Sequence, residues 1–97
     1  MTHELTIMHE LKILPEYFQA VACGIKNFEL RKNDRDYQLD DILVLREWDG
    51  ERYTGQTICR RITYIYEGNG EYGLSDGYCI LGFSSSPWKP GNYGYVR

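Results

Sequence analysis

The chain has 97 residues, 42% hydrophobic and 26% charged, which predicts one globular domain with a single modest core. Its formal net charge of -3 excludes a global attraction to phosphates, so a nucleic-acid partner would need a local basic groove. Nine tyrosines in so short a chain favour strands.

The cysteines, Cys23, Cys59 and Cys79, are too few and too widely spaced for a disulfide framework or a Cys-x-x-Cys zinc site. We therefore expect reduced thiols, no metal and no cofactor. No apolar stretch is long enough for a membrane-spanning helix, and the first residues lack the features of a signal peptide. The expected location is the cytoplasm, without a membrane partner.

The first half of the chain predicts a strand, a helix and a second strand. Alternating residues from Ile7 to Ile13 indicate the first strand. Pro15 suits the first position of a helix because its missing N–H would be unpaired there, and Gly24 suits the left-handed residue that follows one. The second strand runs from Asn27 to Lys32.

Three more strands are predicted in the second half. The apolar run from Ile42 to Leu45 is typical of a strand covered on both faces. Asp49-Gly50 is a strong hairpin signal, and it leads into a strand from about Gln56 to Tyr66 that does not alternate cleanly. The last strand lies near Tyr78 to Phe83.

This order of elements predicts an α+β, mainly β fold, a small five- to six-stranded β-barrel with one or two short helices. We expect the domain to span residues 1–84. Residues 85–97 are rich in Ser, Pro, Gly and aromatic residues and are predicted to form a C-terminal tail. The aromatic residues of this tail leave open a role as a protein-interaction module. We expect the protein to be a monomer or a weak dimer.

The segment from Gly24 to Arg31 is the strongest candidate for a functional site. Lys26, Glu29 and Arg31 offer an ammonium, a carboxylate and a guanidinium to one ligand. This set suits a phosphate together with a base edge, with the carboxylate accepting from an exocyclic amine. It also suits acid–base chemistry if Lys26 is partly desolvated. From chemistry alone, a solvated ion pair on a strand is the alternative.

Gly24-x-Lys26-x-x-Glu29-x-Arg31 resembles the G-x-K-x-x-E-x-R signature of ASCH domains, members of the PUA-like superfamily. The flanking segments resemble a small bacterial and phage branch of that superfamily: His9-x-Leu11-Lys12-x-x-Pro15-x-Tyr17-Phe18, Arg31-Lys32-Asn33-Asp34-Arg35 and Gly77-Tyr78. The resemblance implies a PUA-like β-barrel with a cleft that binds RNA or a nucleotide. The predicted ligand-binding residues are Lys26, Glu29, Arg31, Lys12, His9 and Arg35.

One departure from the family pattern concerns the turn before the third strand. The family usually has Gly-Asp there, and this chain has Asp40-Asp41. Because aspartate enters glycine-type turns less freely, we expect a different turn within the same fold.

An enzyme is the alternative that the resemblance leaves open. Some ASCH relatives are amidohydrolases that act on acetylated cytidine with a Lys, a Thr and a Glu. Lys26 matches the lysine, but Glu29 stands where the threonine falls. Glu67 and Glu71 lie in the loop that replaces the region of the remaining glutamate, and no motif assigns the role to either. We therefore predict binding first, and hydrolysis of an acylated nucleoside by Lys26 second.

The other candidates depend on how the strands are arranged. His9 shares a face with Lys12 only if a β-bulge intervenes, and otherwise is a surface or packing histidine. Four basic and two acidic residues between positions 26 and 35 indicate a modest basic rim that includes Arg35. Aromatic residues that could stack on bases, or simply pack, are Trp48, Tyr53, Tyr64 and Tyr66.

Overall fold

The computed structural model describes residues 5–87 and the backbone of residues 95–96. The elements are β1 (Ile7–Ile13), α1 (Pro15–Ala22), β2 (Phe28–Lys32), β3 (Ile42–Trp48), β4 (Tyr53–Glu67), a 3-10 turn (Glu71–Gly73), β5 (Tyr78–Phe83) and β6 (Tyr95–Val96). The five predicted strands and the helix are confirmed, and β4 is longer than predicted. In the predicted tail, residues 95–96 form β6, and residues 88–94 and 97 lie outside the described residues.

The strands make one mixed sheet in the spatial order β2-β5-β4-β3-β1-β6. β1 runs parallel to β3 and β6, and the other neighbouring pairs are antiparallel. Within the described residues no backbone ladder joins β2 to β1 or β6, so the sheet is open. The mainly β fold with one α-helix is thus present, but backbone hydrogen bonds do not close the expected barrel.

Two arginine side chains connect the sheet edges that the backbone leaves apart. Arg31 on β2 donates from Nη2 to the carbonyl oxygen of Lys12, and Arg35 donates from Nη1 to that of Glu10 at 2.8 Å. Both carbonyls belong to the part of β1 beyond its short pairing with β6. We call this contact the seam, because it joins β1 to β2 through side chains alone.

The core lies between one side of the sheet and α1. All four residues from Ile42 to Leu45 are buried, as their continuous apolar run predicts. The helix contributes Phe18 and Val21, which lie one turn apart on the same face. The cluster of buried residues comprises Leu11, Ile13, Phe18, Val21, Tyr37, Leu43, Leu45, Ile62, Cys79, Leu81 and Phe83.

A β-bulge in β4 explains why this strand does not alternate. Ile62 pairs with Phe83 and Tyr64 pairs with Gly82, with a shift of register between them. Ile62 is fully buried and Tyr64 is 66% exposed, although residues two positions apart on a regular strand lie on the same face of the sheet. After the bulge, the side chains of β4 therefore lie on the opposite face of the sheet from the one that their spacing to Ile62 predicts.

The turn before β3 keeps a glycine-type geometry without glycine. Asp40 has φ of 73°, in the left-handed region. Its carboxylate accepts a hydrogen bond from Arg61 Nη1 at 2.7 Å, and its N–H donates to the carbonyl of Ile62 at 3.0 Å. Aspartate thus adopts the conformation that glycine prefers, at a cost of about 1 kcal/mol.

The hairpin predicted at Asp49-Gly50 is confirmed between β3 and β4. The Asp49 carboxylate accepts the backbone N–H groups of Glu51 and Arg52 at 2.8 and 2.9 Å. These hydrogen bonds, chiefly that from Arg52, favour the ionised carboxylate and lower the pKa of Asp49.

Candidate functional site

A cleft of about 590 Å³ lies where β2, the end of β1 and the start of α1 meet. Four of its lining side chains are cationic and one is a carboxylate, although the whole chain has a net charge of -3. Positive charge is therefore concentrated at this cleft. Its lining residues are Lys12, Ile13, Leu14, Tyr17, Lys26, Phe28, Glu29, Leu30, Arg31, Lys32 and Tyr78.

Glu29 lies at the centre of the charged residues of the cleft. Its side chain is 6% exposed, and its two oxygens accept from different cations. Lys26 donates to Oε1, and Arg31 donates through Nε to Oε2 at 2.9 Å. Since both oxygens are engaged, Glu29 holds the two cations in place and does not project towards a ligand.

The local sequence explains how these three residues meet. Gly24 has φ of 81° and turns the chain out of α1, and the N–H groups of Ile25 and Lys26 return to the carbonyl of Ala20. This connection presents Lys26 beside the start of β2. Glu29 and Arg31 pair with Leu81 and Cys79 of β5 and so share one face of the strand.

Both cations retain donors beyond their contacts with Glu29. Lys26 makes a second hydrogen bond to the carbonyl of Phe28 at 2.7 Å, which leaves its third N–H. Arg31 donates from Nε to the Glu29 carboxylate and from Nη2 to the backbone carbonyl of Lys12. Its Nη1 has no partner among the described residues. The side chains of Lys26 and Arg31 are 15% and 26% exposed. They can therefore bind an anion without releasing Glu29.

Lys12 reaches the cleft from β1, held by an aromatic ring. Its Nζ lies 3.9 Å from the centroid of the Trp48 ring, a cation–π contact. Trp48 packs edge-on against Tyr53, and the Arg46 guanidinium lies 3.8 Å from the centroid of the Tyr53 ring. These two aromatic residues are thus engaged by cations of the protein itself.

His9 does not line this cleft. The ladder from β1 to β3 is continuous from Met8 to Ile13, so no bulge brings His9 to the face of Lys12. Its Nε2 lies 2.9 Å from Oδ2 of Asp41, and the two side chains are 1% and 0% exposed. The alternation of His9 with the buried residues Leu11 and Ile13 was the signal for this position.

Asp41 has an important structural role that the sequence did not indicate. Besides contacting His9, it accepts the backbone N–H of Ile7 at 3.2 Å and that of Gln38 at 3.1 Å. The His9 ring packs against Tyr37, with centroids 4.7 Å apart. Asp41 therefore fastens the start of β1 and the turn before β3 to each other.

Arg35 lies beside the cleft and does not line it. It lines a second cavity of about 580 Å³ together with His9, Glu10, Asp34, Asp36 and Tyr53. The structure thus brings Lys12, Lys26, Glu29 and Arg31 together, while Arg35 meets Arg31 at the seam and in a small cavity of about 140 Å³ beside the cleft.

Burial shifts the pKa values of several groups in the core. Desolvation raises the pKa of the Tyr37 phenol and of the Cys59 and Cys79 thiols. It lowers the pKa of Arg60, which donates to the carbonyls of Cys59 at 3.0 Å and Val21 at 3.5 Å. Val21 lies in the last turn of α1, where the helix dipole favours a cation.

No helix among the described residues has the length and apolar character needed to cross a membrane. In the same part of the chain, no three His, Cys, Asp or Glu residues come together in a group that could hold a metal ion.

The fold and the cleft define a small, mainly β domain with a cationic cleft at one edge of its sheet. Residues 8–83 match the family described as Domain of unknown function (DUF3850), and the chain belongs to this family. The matched region contains every lining residue of the cleft.

The chain is also similar to the "Uncharacterized 12.9 kDa protein in GpA 3'region" of Escherichia phage P2. The two are 43% identical over 58 residues, which cover 60% of this chain and 53% of the phage protein. The match thus spans about half the length of this relative.

Proposed function

We propose that the domain binds RNA or a nucleotide in the cleft around Lys26, Glu29 and Arg31. The observation that carries this proposal is a nearly buried carboxylate that holds two partly exposed cations at the cleft surface. Such cations are oriented in advance, so little side-chain entropy is lost when they contact a phosphate. Lys12 and Lys32 add positive charge to the same cleft.

Each group has a distinct role in this proposal. The remaining N–H groups of Lys26 and Arg31 donate to phosphate oxygens, and Glu29 positions both cations. Tyr17, Phe28 and Tyr78 are exposed where they line the cleft, and Lys26 Nζ lies 5.8 Å and 5.1 Å from the ring centroids of Tyr17 and Phe28. In this proposal a base stacks on the ring faces that Lys26 leaves open. Glu29 is thus a positioning residue and does not accept from an exocyclic amine.

Membership of the ASCH and PUA-like group is part of this proposal. The signature from Gly24 to Arg31 supports it, as does the meeting of this segment with the first strand and the helix at one cleft. The seam adds support, because a sheet whose edges are joined by side chains is close to a small barrel. We propose a cytoplasmic location together with this ligand.

The direct test is binding of a labelled ten-nucleotide single-stranded RNA, followed by fluorescence anisotropy at several salt concentrations. We expect Lys26→Ala and Arg31→Ala each to weaken binding by about tenfold and to reduce its salt dependence. Arg52→Ala is the matched control, because Arg52 is an exposed cation at the β3–β4 hairpin, outside the cleft. A folded double variant that binds as tightly as the parent would overturn the proposal.

The contact between Lys26 Nζ and Glu29 Oε1 also favours a second candidate, hydrolysis of an acylated nucleoside. A lysine and a carboxylate in contact within a cleft are group types that general acid–base catalysis uses. Acetylated nucleosides, acetylated cytidine included, would be incubated with the protein, with Lys26→Ala as control. Release of acetate by the parent alone supports hydrolysis, and no release across the panel excludes it.

A further inference from the structure

The outer face of β2, β5 and β4, on the side of the sheet away from the core, is rich in exposed aromatic and apolar side chains. Cross-strand partners share a face of the sheet, so the registers define its members. Phe28 lies opposite Gly82, which lies opposite Tyr64, and Leu30 lies opposite Ile80, which lies opposite Tyr66. Lys32 and Tyr78 form the next pair. We call this set of residues the outer face.

Gly82 is at the centre of one row of this face, and neither the backbone nor the packing requires a glycine there. Its φ lies outside the left-handed region, and a Cβ built on it would meet only Tyr64, at ordinary distances of 3.5 Å and more. Glycine inside a strand destabilises a protein relative to alanine. A strand glycine often marks a β-bulge or the close approach of a ligand or another backbone, and Gly82 lies opposite the bulge in β4 as well as next to the cleft residue Phe28.

Gly82 places no side chain between its two cross-strand partners, Phe28 and Tyr64, and we call this position the slot. Phe28 is 48% exposed on one side and Tyr64 is 66% exposed on the other. The β-bulge in β4 is what turns Tyr64 onto this face. Two strand spacings separate Phe28 from Tyr64, about 10 Å, which is wide enough for a flat base to lie between their rings.

The outer face is continuous with the cationic cleft. Phe28, Leu30, Lys32 and Tyr78 belong to the outer face and also line the cleft. The cleft and the slot therefore share Phe28. This continuity and the positive charge of the cleft favour a single-stranded nucleic acid over an apolar protein surface.

We propose that an unpaired base of a single-stranded RNA stacks over Gly82, between Phe28 and Tyr64, while the adjoining phosphates lie in the cleft. The proposal rests on the proposed function and specifies its ligand as a single strand of several nucleotides. A mononucleotide occupies the cleft alone, whereas a longer strand uses both the cleft and the slot.

The test compares a mononucleotide with a ten-nucleotide RNA that carries 2-aminopurine, whose fluorescence is quenched by stacking. Gly82→Val fills the slot, and Tyr64→Ala removes one of its sides. We expect each to weaken binding of the RNA by about tenfold and to relieve the quenching, with mononucleotide binding unchanged. Tyr72→Ala is the matched control, because Tyr72 is 91% exposed in the 3-10 turn, outside the cleft and the outer face.

Gly82→Val introduces a good strand former at a position with room for Cβ, so we expect the variant to fold. If the parent binds neither probe, the proposed function fails and the slot with it. If the parent binds RNA, and Lys26→Ala weakens this binding but the slot variants do not, the slot is overturned and the proposed function stands. A changed oligomeric state with unchanged RNA binding also overturns the slot and assigns the outer face to a second copy.

Discussion

Glu29 and Asp41 are both buried carboxylates, but their partners differ. Asp41 accepts from His9, which is itself buried, and from two backbone N–H groups. Glu29 accepts from Lys26 and Arg31, whose side chains still reach solvent. The exposure of the partners therefore separates a carboxylate that holds the fold together from one that orients two cations at the surface of the cleft.

The largest expected effect is that of Asp41→Ala on stability. This change leaves the Nε2 side of His9 and two backbone N–H groups without their acceptor in the core. We expect the free energy of unfolding to fall by about 3–5 kcal/mol, measured by urea denaturation at pH 7. A loss below about 1 kcal/mol would show that water replaces this carboxylate.

Glu29→Gln should have a smaller effect on stability and a larger one on binding. Lys26 and Arg31 can turn towards water, so we expect a loss of about 1–2 kcal/mol in the same urea experiment. RNA affinity should fall severalfold even though the protein becomes more positive, because the two cations lose the group that orients them. Higher affinity in this variant would mean that only the net charge of the cleft matters.

The core should also respond to alkaline pH. Burial raises the pKa of Tyr37 above its usual 10.0, so the unfolded chain releases this proton first. Its contribution to stability is therefore present below about pH 10 and is lost as the pH rises through the folded-state pKa. The pKa values of Cys59 and Cys79 are raised above 9.0, which acts in the same direction from about pH 9.

The measurement is the urea midpoint at pH 7, 9 and 10.5 for the parent and for Tyr37→Phe. We expect stability to decline above pH 9 in both proteins, and less steeply above pH 10 in the variant, by at most about 1.4 kcal/mol per pH unit. Parallel declines would show that Tyr37 ionises equally in the folded and unfolded chains.

The smallest expected effect on stability is that of substitutions at Asp40, in the turn before β3. Asp40→Gly relieves a left-handed aspartate, which should raise stability by up to about 1 kcal/mol. It also removes an exposed ion pair with Arg61, worth well under about 1 kcal/mol. Asp40→Ala, which loses the ion pair and keeps the strain, should be less stable than the parent. If both variants lose the same stability, the ion pair outweighs the strain.

Local signals in the sequence were sufficient for the elements of this fold. Pro15, Gly24 and the pair Asp49-Gly50 each constrain their own neighbourhood, and the helix and the hairpin lie where these residues place them. The order of the strands and the bulge after Ile62 depend on pairing between distant segments. The irregular alternation of β4 was a local signal for the bulge, but no local pattern gives the order of the strands. The closed barrel was expected from the order of the elements and from the family resemblance.

The candidate site was predictable in its membership more than in its geometry. The two-residue period places Glu29 and Arg31 on one face, but it does not show that Glu29 is buried at the sheet edge. The contact of Arg31 with the carbonyl of Lys12 joins residues 19 positions apart and has no local signature. The burial of His9 was not predicted, although its alternation with Leu11 and Ile13 was a local signal for it.

The seam also bears on the behaviour of this protein at high concentration. An uncovered strand edge is a template on which another molecule can add a strand, and natural sheets protect such edges with charged side chains. Arg31 and Arg35 occupy the carbonyls of Lys12 and Glu10 at the edge of β1. The same guanidinium group that faces the cleft thus helps to keep neighbouring molecules from joining edge to edge into aggregates.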